Sequence, residues 1–283
     1  MNSGSPATCI DTLLRAAETR LAAGGSPRLD AELLLAHVLG TSRGTLYARG
    51  GDQVDAASAA RFRELVERRA RGTPLAYLTG RRGFWSLELE VSPAVLVPRP
   101  ETELLVERAL ALGGHGPLAV ADLGTGSGAV ALALATERPA WHIVATDCSA
   151  AALGVARANA RRLALGNVEC LEGDWCAPLA GRQFDLIVSN PPYIGAGEPE
   201  LADPALRHEP RAALTPGPSG LEALEAIAAQ ARTCLRPGGH LLLEHGAQQA
   251  AGLAHRLVAL GYAHVRCHPD LAGHDRVTEA RWR

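Results

Sequence analysis

Phe184-Asp185-Leu186-Ile187-Val188-Ser189-Asn190-Pro191-Pro192-Tyr193 sets an apolar run against one amide, two prolines and an aromatic ring. A strand without polar alternation is expected to be buried on both faces, as in parallel α/β sheets, where ligands sit beyond the strands' carboxyl ends. Asn190 therefore falls where chemistry is done. The residue types suit a planar group bearing an exocyclic NH2. Asn190 offers a side-chain carbonyl, Pro191 has no N–H, and Pro192 biases Pro191 toward an extended backbone whose C=O is free to accept. Two acceptors hold both hydrogens of one NH2, and Tyr193 offers a flat face for stacking. The plainer reading is a Pro-Pro break with Asn as a local cap; the stretch upstream favours the binding reading.

Upstream, strands and helices alternate. Leu118–Leu123, His142–Thr146, Val168–Glu172 and Phe184–Ser189 read as strands, with helices over Ala129–Thr136 and Ala150–Leu163. Downstream, His240–Glu244, Tyr262–Cys267 and Arg276–Trp282 are strands, with helices over Leu221–Leu235 and Gln248–Leu260. This alternation implies an α/β, doubly wound, mostly parallel sheet. Before it, Ile10 to about Gly72 reads as helices: Leu13, Leu14, Ala17 and Leu21 recur at helical spacing, Asp30 suits the cap of Ala31–Leu39, and Asp55 that of Ala56–Arg71. Gly83–Val91 switches to a period of two, as one arm of a hairpin. The expected domains are a helical unit over residues 1–82, a linking hairpin over 83–99 and the α/β domain over 100–283.

Ala121-Asp122-Leu123-Gly124-Thr125-Gly126-Ser127-Gly128 closes the first strand of the sheet and opens its helix. Its glycines permit a sharp turn and a close approach to a ligand. The spacing departs from the dinucleotide fingerprint, and no Gly-Lys-Ser/Thr follows, which disfavours a nicotinamide dehydrogenase and a nucleoside triphosphatase. Asp147 ends the next strand, placed for ribose hydroxyls or as a helix cap, a role that Ser149 also suits. Asp174 suits an adenine amino group, and Trp175 either stacks on the ring or belongs to the core.

The chain has 283 residues, 47% of them hydrophobic, enough for a large domain and a smaller one. All 28 basic residues are arginine, against 30 acidic ones, for a net charge of −2. This is not the balance of a protein that grips nucleic acid through phosphates. The arginines at 61, 63, 68, 69, 71, 81 and 82 read as a solvated face in preference to an acidic-partner dock, and Arg99 as a fixed anion contact or a surface cap. Six cysteines without a C-x-x-C pair and ten histidines without a ligand spacing suggest neither disulfides nor a metal. Met1–Leu21 lacks the pattern of a leader and no apolar run approaches a membrane span, so a soluble cytoplasmic chain is expected.

Asp122–Gly128 followed by Asn190–Tyr193 resembles a class I S-adenosylmethionine-dependent methyltransferase acting on an NH2 nitrogen. With Val97-Pro98-Arg99-Pro100-Glu101-Thr102-Glu103, Asp174-Trp175, Leu243-Glu244-His245-Gly246 and the helical amino-terminal region, nearly the whole chain resembles the peptide chain release factor glutamine methyltransferase (PrmC/HemK) family. The resemblance implies a seven-stranded Rossmann-like sheet with its last strand antiparallel, and S-adenosyl-L-methionine as cofactor. It also implies methyl transfer to the side-chain amide of the Gly-Gly-Gln glutamine of bacterial release factors. By the same resemblance Gly124, Thr125, Gly126, Ser127, Gly128, Asp147, Trp175 and Asn190 hold the cofactor, Asn190, Pro191, Pro192 and Tyr193 hold the glutamine, and the amino-terminal unit recognises the protein substrate. Asn190 and the Pro191 carbonyl are the expected catalytic groups. The rival readings are a nucleic-acid adenine or guanine amino-methyltransferase, which would need base flipping and usually a basic surface, and a non-catalytic S-adenosylmethionine sensor, which needs no amide-holding residues. The Pro- and Gly-rich stretch 194–220 is expected to cover the substrate, with His208 a surface residue rather than a base.

Overall fold

The computed structural model describes residues 8–283; the first seven residues, part of the Met1–Leu21 stretch examined for a leader, lie outside the described residues. The chain divides into two compact units, one ending at Gly80 and one beginning at Arg81.

In the first unit, β1 (Thr8–Cys9) leads into α1 (Ile10–Arg20), α2 (Pro27–Leu39) and α3 (Arg43–Ala48), and β2 (Gln53–Val54) pairs back on β1 before α4 (Ala56–Ala70) and α5 (Leu75–Thr79). Leu13, Leu14 and Ala17 of α1, Leu34 and Leu35 of α2, and Phe62, Leu65 and Val66 of α4 form its core. Asp55 caps α4 by accepting from Ser58 N at 2.9 Å, as its spacing predicts. Asp30 does not cap. Pro27, whose fixed φ and missing N–H suit the first helical position, starts α2 a turn earlier, and Asp30 instead accepts from Arg69 Nε at 2.7 Å. The arginine run is thereby broken up, since Arg69 serves this pair and Arg81 that with Glu88.

Glu32 is 1% exposed because its own partners cover it: Arg28 at 2.7 Å, Arg43 at 2.7 Å and the Tyr47 hydroxyl at 2.7 Å. Burial alone would raise its pKa, but the Tyr47 hydroxyl and the two guanidinium groups more than reverse this and hold it below the ordinary carboxylate value. A carboxylate with a depressed folded pKa stabilises above its unfolded value, and that contribution is lost as pH falls through the folded one. Glu32→Ala is expected to destabilise this unit by about 2 kcal/mol at pH 7 and by progressively less in acid below the ordinary carboxylate value, with the arginines free to regain water. Thermal melts across that range check it.

The second unit opens with the hairpin β3 (Arg81–Phe84) and β4 (Leu87–Glu90). It is more than a link: Phe84, Leu87 and Leu89 join the core beneath α6 (Glu103–Gly113). The chain then runs β5 (Ala119–Leu123), α7 (Ala129–Glu137), β6 (His142–Asp147), α8 (Ala150–Arg162), β7 (Val168–Glu172), β8 (Phe184–Ser189), α9 (Glu222–Cys234), β9 (Leu235–Glu244), α10 (Ala250–Ala259), β10 (Ala263–Pro269) and β11 (Asp275–Arg281). The sheet has seven strands in the order β10-β11-β9-β8-β5-β6-β7, with β11 antiparallel to both neighbours and the other pairings parallel. β9 starts five residues earlier than its apolar run predicts, since Phe184 pairs with Leu235 before a register shift at Pro237-Gly238-Gly239.

The apolar run of β8 is buried on both faces, as expected. Leu186 and Val188 enter the core that contains α6 and α7, and Ile187 that of α9 and α10; each such side chain contributes roughly 1.5–3 kcal/mol. Every residue of α7 from Ala129 to Ala135 is buried, and its alanines let it lie close to the sheet. Among the described residues no helix is long and apolar enough to cross a membrane.

Candidate active site

The strand order reverses beside β5, so the carboxyl ends of β5, β6 and β8 open on one side. Ser189 Oγ donates to Leu123 O at 2.6 Å and ties the ends of β8 and β5 together. Beyond β5 the backbone must reverse at once. Gly124, Gly126 and Gly128 all have positive φ (72°, 57° and 85°), conformations that side chains resist. Gly124 and Thr125 donate N–H to Thr146 O at 2.8 and 2.9 Å, pulling the loop over β6. Asp122 holds it from beneath, accepting from Thr125 Oγ1 at 2.6 Å and from Ala131 N at 3.2 Å. Burial pushes the Asp122 carboxyl up to about 6, with these hydrogen bonds opposing the rise and the Asp147 charge adding to it.

Asp147 Oδ2 accepts from Gly126 N at 2.9 Å and Oδ1 from Ser149 N at 2.9 Å, while Ser149 Oγ caps α8 by accepting from Ala152 N. The cap role thus goes to Ser149, and the Asp147 carboxylate braces the glycine loop at the cavity wall. Trp175, with φ of 43°, stands against Gly124: a Cβ there would lie 3.1 Å from the indole. Thr146 Oγ1 holds the Trp175 carbonyl at 3.0 Å.

One cavity is lined by Gly124, Thr125, Gly126, Ser127, Asp147, Trp175 and Asn190, together with Pro192 and Asp174. Gly128, Pro191 and Tyr193 are not part of its wall. Gly128 turns into α7 and faces Leu132, and Pro191 is buried. Tyr193 packs on the core containing α9 and α10, its hydroxyl 3.4 Å from Glu244 Oε1 and its carbonyl accepting from Gln249 Nε2 at 2.9 Å. Its ring is held as a support of the loop, where the aromatic-after-proline pattern suggested a stacking face. Asn190 Nδ2 donates to Thr102 Oγ1 at 2.9 Å, which leaves Oδ1 as the end of the amide available to a ligand.

Arg99 is not a free anion contact: it pairs with Glu209, which is 7% exposed and also accepts from Val97 N at 3.1 Å. This latch secures the 194–220 segment, whose Pro210, Ala212 and Ala213 line the cavity and whose base is pinned by Ile194 N to Leu214 O and Ala196 N to Gly217 O. Glu209→Gln is expected to speed proteolytic cleavage within 194–220 severalfold while leaving the melting of the rest unchanged, as loss of one buried ion pair requires. Limited digestion followed by mass spectrometry checks it.

Sequence reasoning gave no role to four residues of this frame: Thr102 and Glu244, quoted only as parts of motifs, and Glu209 and Asn159. Asn159 is fully buried, and its Nδ2 donates to Ser127 O at 3.0 Å and to Glu90 O at 2.9 Å. Asn in mid-helix was the available signal. Chemically, the cavity is an acid-lined cleft whose cation is neutralised by Glu209, with an open face at Gly126, where a Cβ would meet nothing within 4 Å. A ribose-bearing, positively charged ligand with a flat ring fits those groups.

Two family models match the chain: the PrmC N-terminal domain over residues 12–80 and the methyltransferase small domain over 101–257. The chain is 50% identical over 270 residues to the release factor glutamine methyltransferase of Xylella fastidiosa strain 9a5c, covering 95% of this chain and 96% of that protein. It is 46% identical over 269 residues to the release factor glutamine methyltransferase of Escherichia coli K12, covering 95% and 97%. Among solved structures, the T. thermophilus 16S rRNA N2 G1207 methyltransferase in complex with AdoMet and guanosine shares the fold, with TM-score 0.53 and 22% identity over 72% of this chain and 50% of that one.

Proposed function

The chain belongs to the release factor glutamine methyltransferases, and from that premise we propose how its residues perform the transfer. The enzyme moves a methyl group from S-adenosyl-L-methionine to the side-chain amide nitrogen of a release factor glutamine. When bound, the cofactor supplies an electrophilic methyl on sulfur, and the amide nitrogen bonds to that carbon as the sulfur–carbon bond breaks. Gly124 to Ser127 and the Asp147 carboxylate hold the nucleoside, Asp147 through ribose hydroxyls, and Trp175 walls the ring. Gly128 shapes the turn into α7.

An amide nitrogen is a poor nucleophile because its lone pair is shared with the carbonyl. Asn190 Oδ1, in the cavity wall, and the backbone carbonyl of the next residue, Pro191, whose bulk is buried outside that wall, accept the two N–H bonds of the glutamine, aim the nitrogen at the methyl and strengthen as positive charge develops there. Positioning of this kind is worth about 7–11 kcal/mol. Pro192 shapes the wall beside the glutamine, and Tyr193 anchors the far end of the loop. No general base is needed before the transfer, since the nitrogen sheds its proton to water once methylated.

The observation that carries this reading is the Asn190 amide, fixed by Thr102 with its oxygen free, in the same cavity as the glycine loop and Asp147. The amino-terminal unit serves to recognise the release factor, and the reaction takes place in the cytoplasm. A nucleic-acid substrate is disfavoured by the net charge of −2 and by arginines committed to acidic partners, such as Arg20 with Glu67 and Arg182 with Glu169. Labelled S-adenosylmethionine with release factor, its Gln→Ala variant or duplex DNA tests this. Label is expected in the intact factor alone, and label in the variant or the DNA instead would overturn it.

A further inference from the structure

Glu244 ends β9 beside the acceptor loop and is not itself part of the cavity wall, yet it is 1% exposed and its Oε2 has no hydrogen-bond partner among the described residues. A buried carboxylate with an idle oxygen is costly to keep. Its neighbours suggest why it is there. The Tyr193 hydroxyl lies 3.4 Å from Oε1. Thr102, itself 4% exposed, is the polar neighbour that most opposes the rise of the Glu244 carboxyl, and its hydroxyl oxygen accepts from Asn190 Nδ2 at 2.9 Å. One carboxylate therefore neighbours both ends of the Asn190-Pro191-Pro192-Tyr193 loop, Tyr193 by direct contact and Asn190 by way of its partner Thr102.

We propose that Glu244 is a positioning residue for the methyl transfer, fixing through Thr102 which end of the Asn190 amide faces the substrate. This rests on the glutamine-holding reading given above. An ionised carboxylate only accepts, so Thr102 must donate to it and is left with lone pairs alone for Asn190. Asn190 must then turn Nδ2 to Thr102 and Oδ1 to the cavity, the polarity that an incoming NH2 requires. A partner at 244 able to donate reverses the chain. Thr102 would then donate to Asn190 Oδ1, and Nδ2 would meet the substrate NH2 donor to donor.

Protonation of Glu244 is such a reversal. Burial pushes the carboxyl up to about 7, with Thr102, Arg276 and Tyr193 opposing the rise and Glu101 adding to it. Among the other groups around it, Tyr193 is raised by burial and stays protonated, and His245, next on the chain, is lowered by burial and stays neutral. Glu244 thus changes charge near pH 7, and Asn190 is held correctly above that value.

The test uses the full-length enzyme and a release factor, with turnover measured from about pH 6 to 8.5 and cofactor affinity by calorimetry. Wild-type kcat is expected to rise through about pH 7. Glu244→Gln, isosteric but able to donate, is expected to lose about tenfold in kcat at pH 8 and to lack that rise, with cofactor affinity within about twofold and a melting temperature equal to or above wild type. Thr102→Ser should keep the wild-type profile and Thr102→Val lose it, and Glu244→Gln added to Thr102→Val should cost nothing more, as residues in one chain of hydrogen bonds do. Wild-type kcat and pH profile in Glu244→Gln would overturn the proposal, as would losses that multiply in the double variant. Should Glu244→Gln fail to fold, wild-type turnover by Thr102→Val overturns it alone. A wild-type enzyme that binds the cofactor but methylates no release factor would instead remove the underlying reading of the site.

Discussion

Asn190→Ala is expected to lower kcat for release factor methylation by about 10²- to 10³-fold, the usual consequence of deleting one preorganised polar contact to developing charge. In the proposed mechanism the substitution removes Oδ1, the acceptor that turns the glutamine nitrogen toward the methyl donor, and leaves the backbone carbonyl of Pro191 to hold the NH2 alone. Cofactor affinity should change only a fewfold, because the glycine loop and Asp147 remain. Stability should change little, because the Asn190 side chain is only part-buried and its side-chain hydrogen bond among the described residues is that to the Thr102 hydroxyl. Single-turnover kinetics beside calorimetric binding check the separation. Asn190→Asp, which cannot donate to Thr102, should be impaired as well, which distinguishes loss of orientation from loss of the oxygen.

Asp147→Ala is expected to act on the other half of the site. The carboxylate holds Gly126 N and Ser149 N at 2.9 Å each, and in the proposed mechanism it also takes the ribose hydroxyls. Hydrogen bonds to a charged group are worth about 1.5–3 kcal/mol each. Loss of the ribose contacts and of the brace on Gly126 together should weaken S-adenosylmethionine binding by about 10²- to 10³-fold. At saturating cofactor kcat should recover most of its wild-type value, since the geometry around Asn190 is built from β8 and Thr102. Calorimetry and turnover at rising cofactor concentration check it. A variant with wild-type affinity would confine Asp147 to bracing the loop.

The sheet was legible from residues such as Leu186-Ile187-Val188 because a strand covered by helices on both faces has no reason to carry polar residues, and the polar residues that end it then mark the open edge. Asp147, the last residue of β6, and Asn190, the residue after β8, are singled out in this way, and both line the cavity. What joins them was not legible. Thr102, Asn190 and Glu244 lie on three separate stretches of chain, Asn190 88 positions after Thr102 and Glu244 51 positions after Tyr193. Periodicity records which face a residue takes; it does not record which strand end it meets. The same limit explains Arg99, whose partner Glu209 is 110 residues away, and Tyr193, whose hydroxyl lies against Glu244 and whose backbone carbonyl is held by Gln249. The misplaced start of α2 has a local cause: Pro27 at the first helical position outweighs a cap at Asp30. The brief α3, capped by Ser42 accepting from Thr45 N at 3.1 Å, is too short for apolar periodicity to reveal.

The central claim is that the Asn190 oxygen holds a glutamine amide so that its nitrogen takes the methyl group. Tandem mass spectrometry of a release factor, after matched incubation with wild-type enzyme and with Asn190→Ala, tests it most directly. The account predicts one added methyl, on the side-chain nitrogen of the Gly-Gly-Gln glutamine, from the wild type, and almost none from the variant in the same time. A methyl on any other residue, or equal modification by both enzymes, would contradict it.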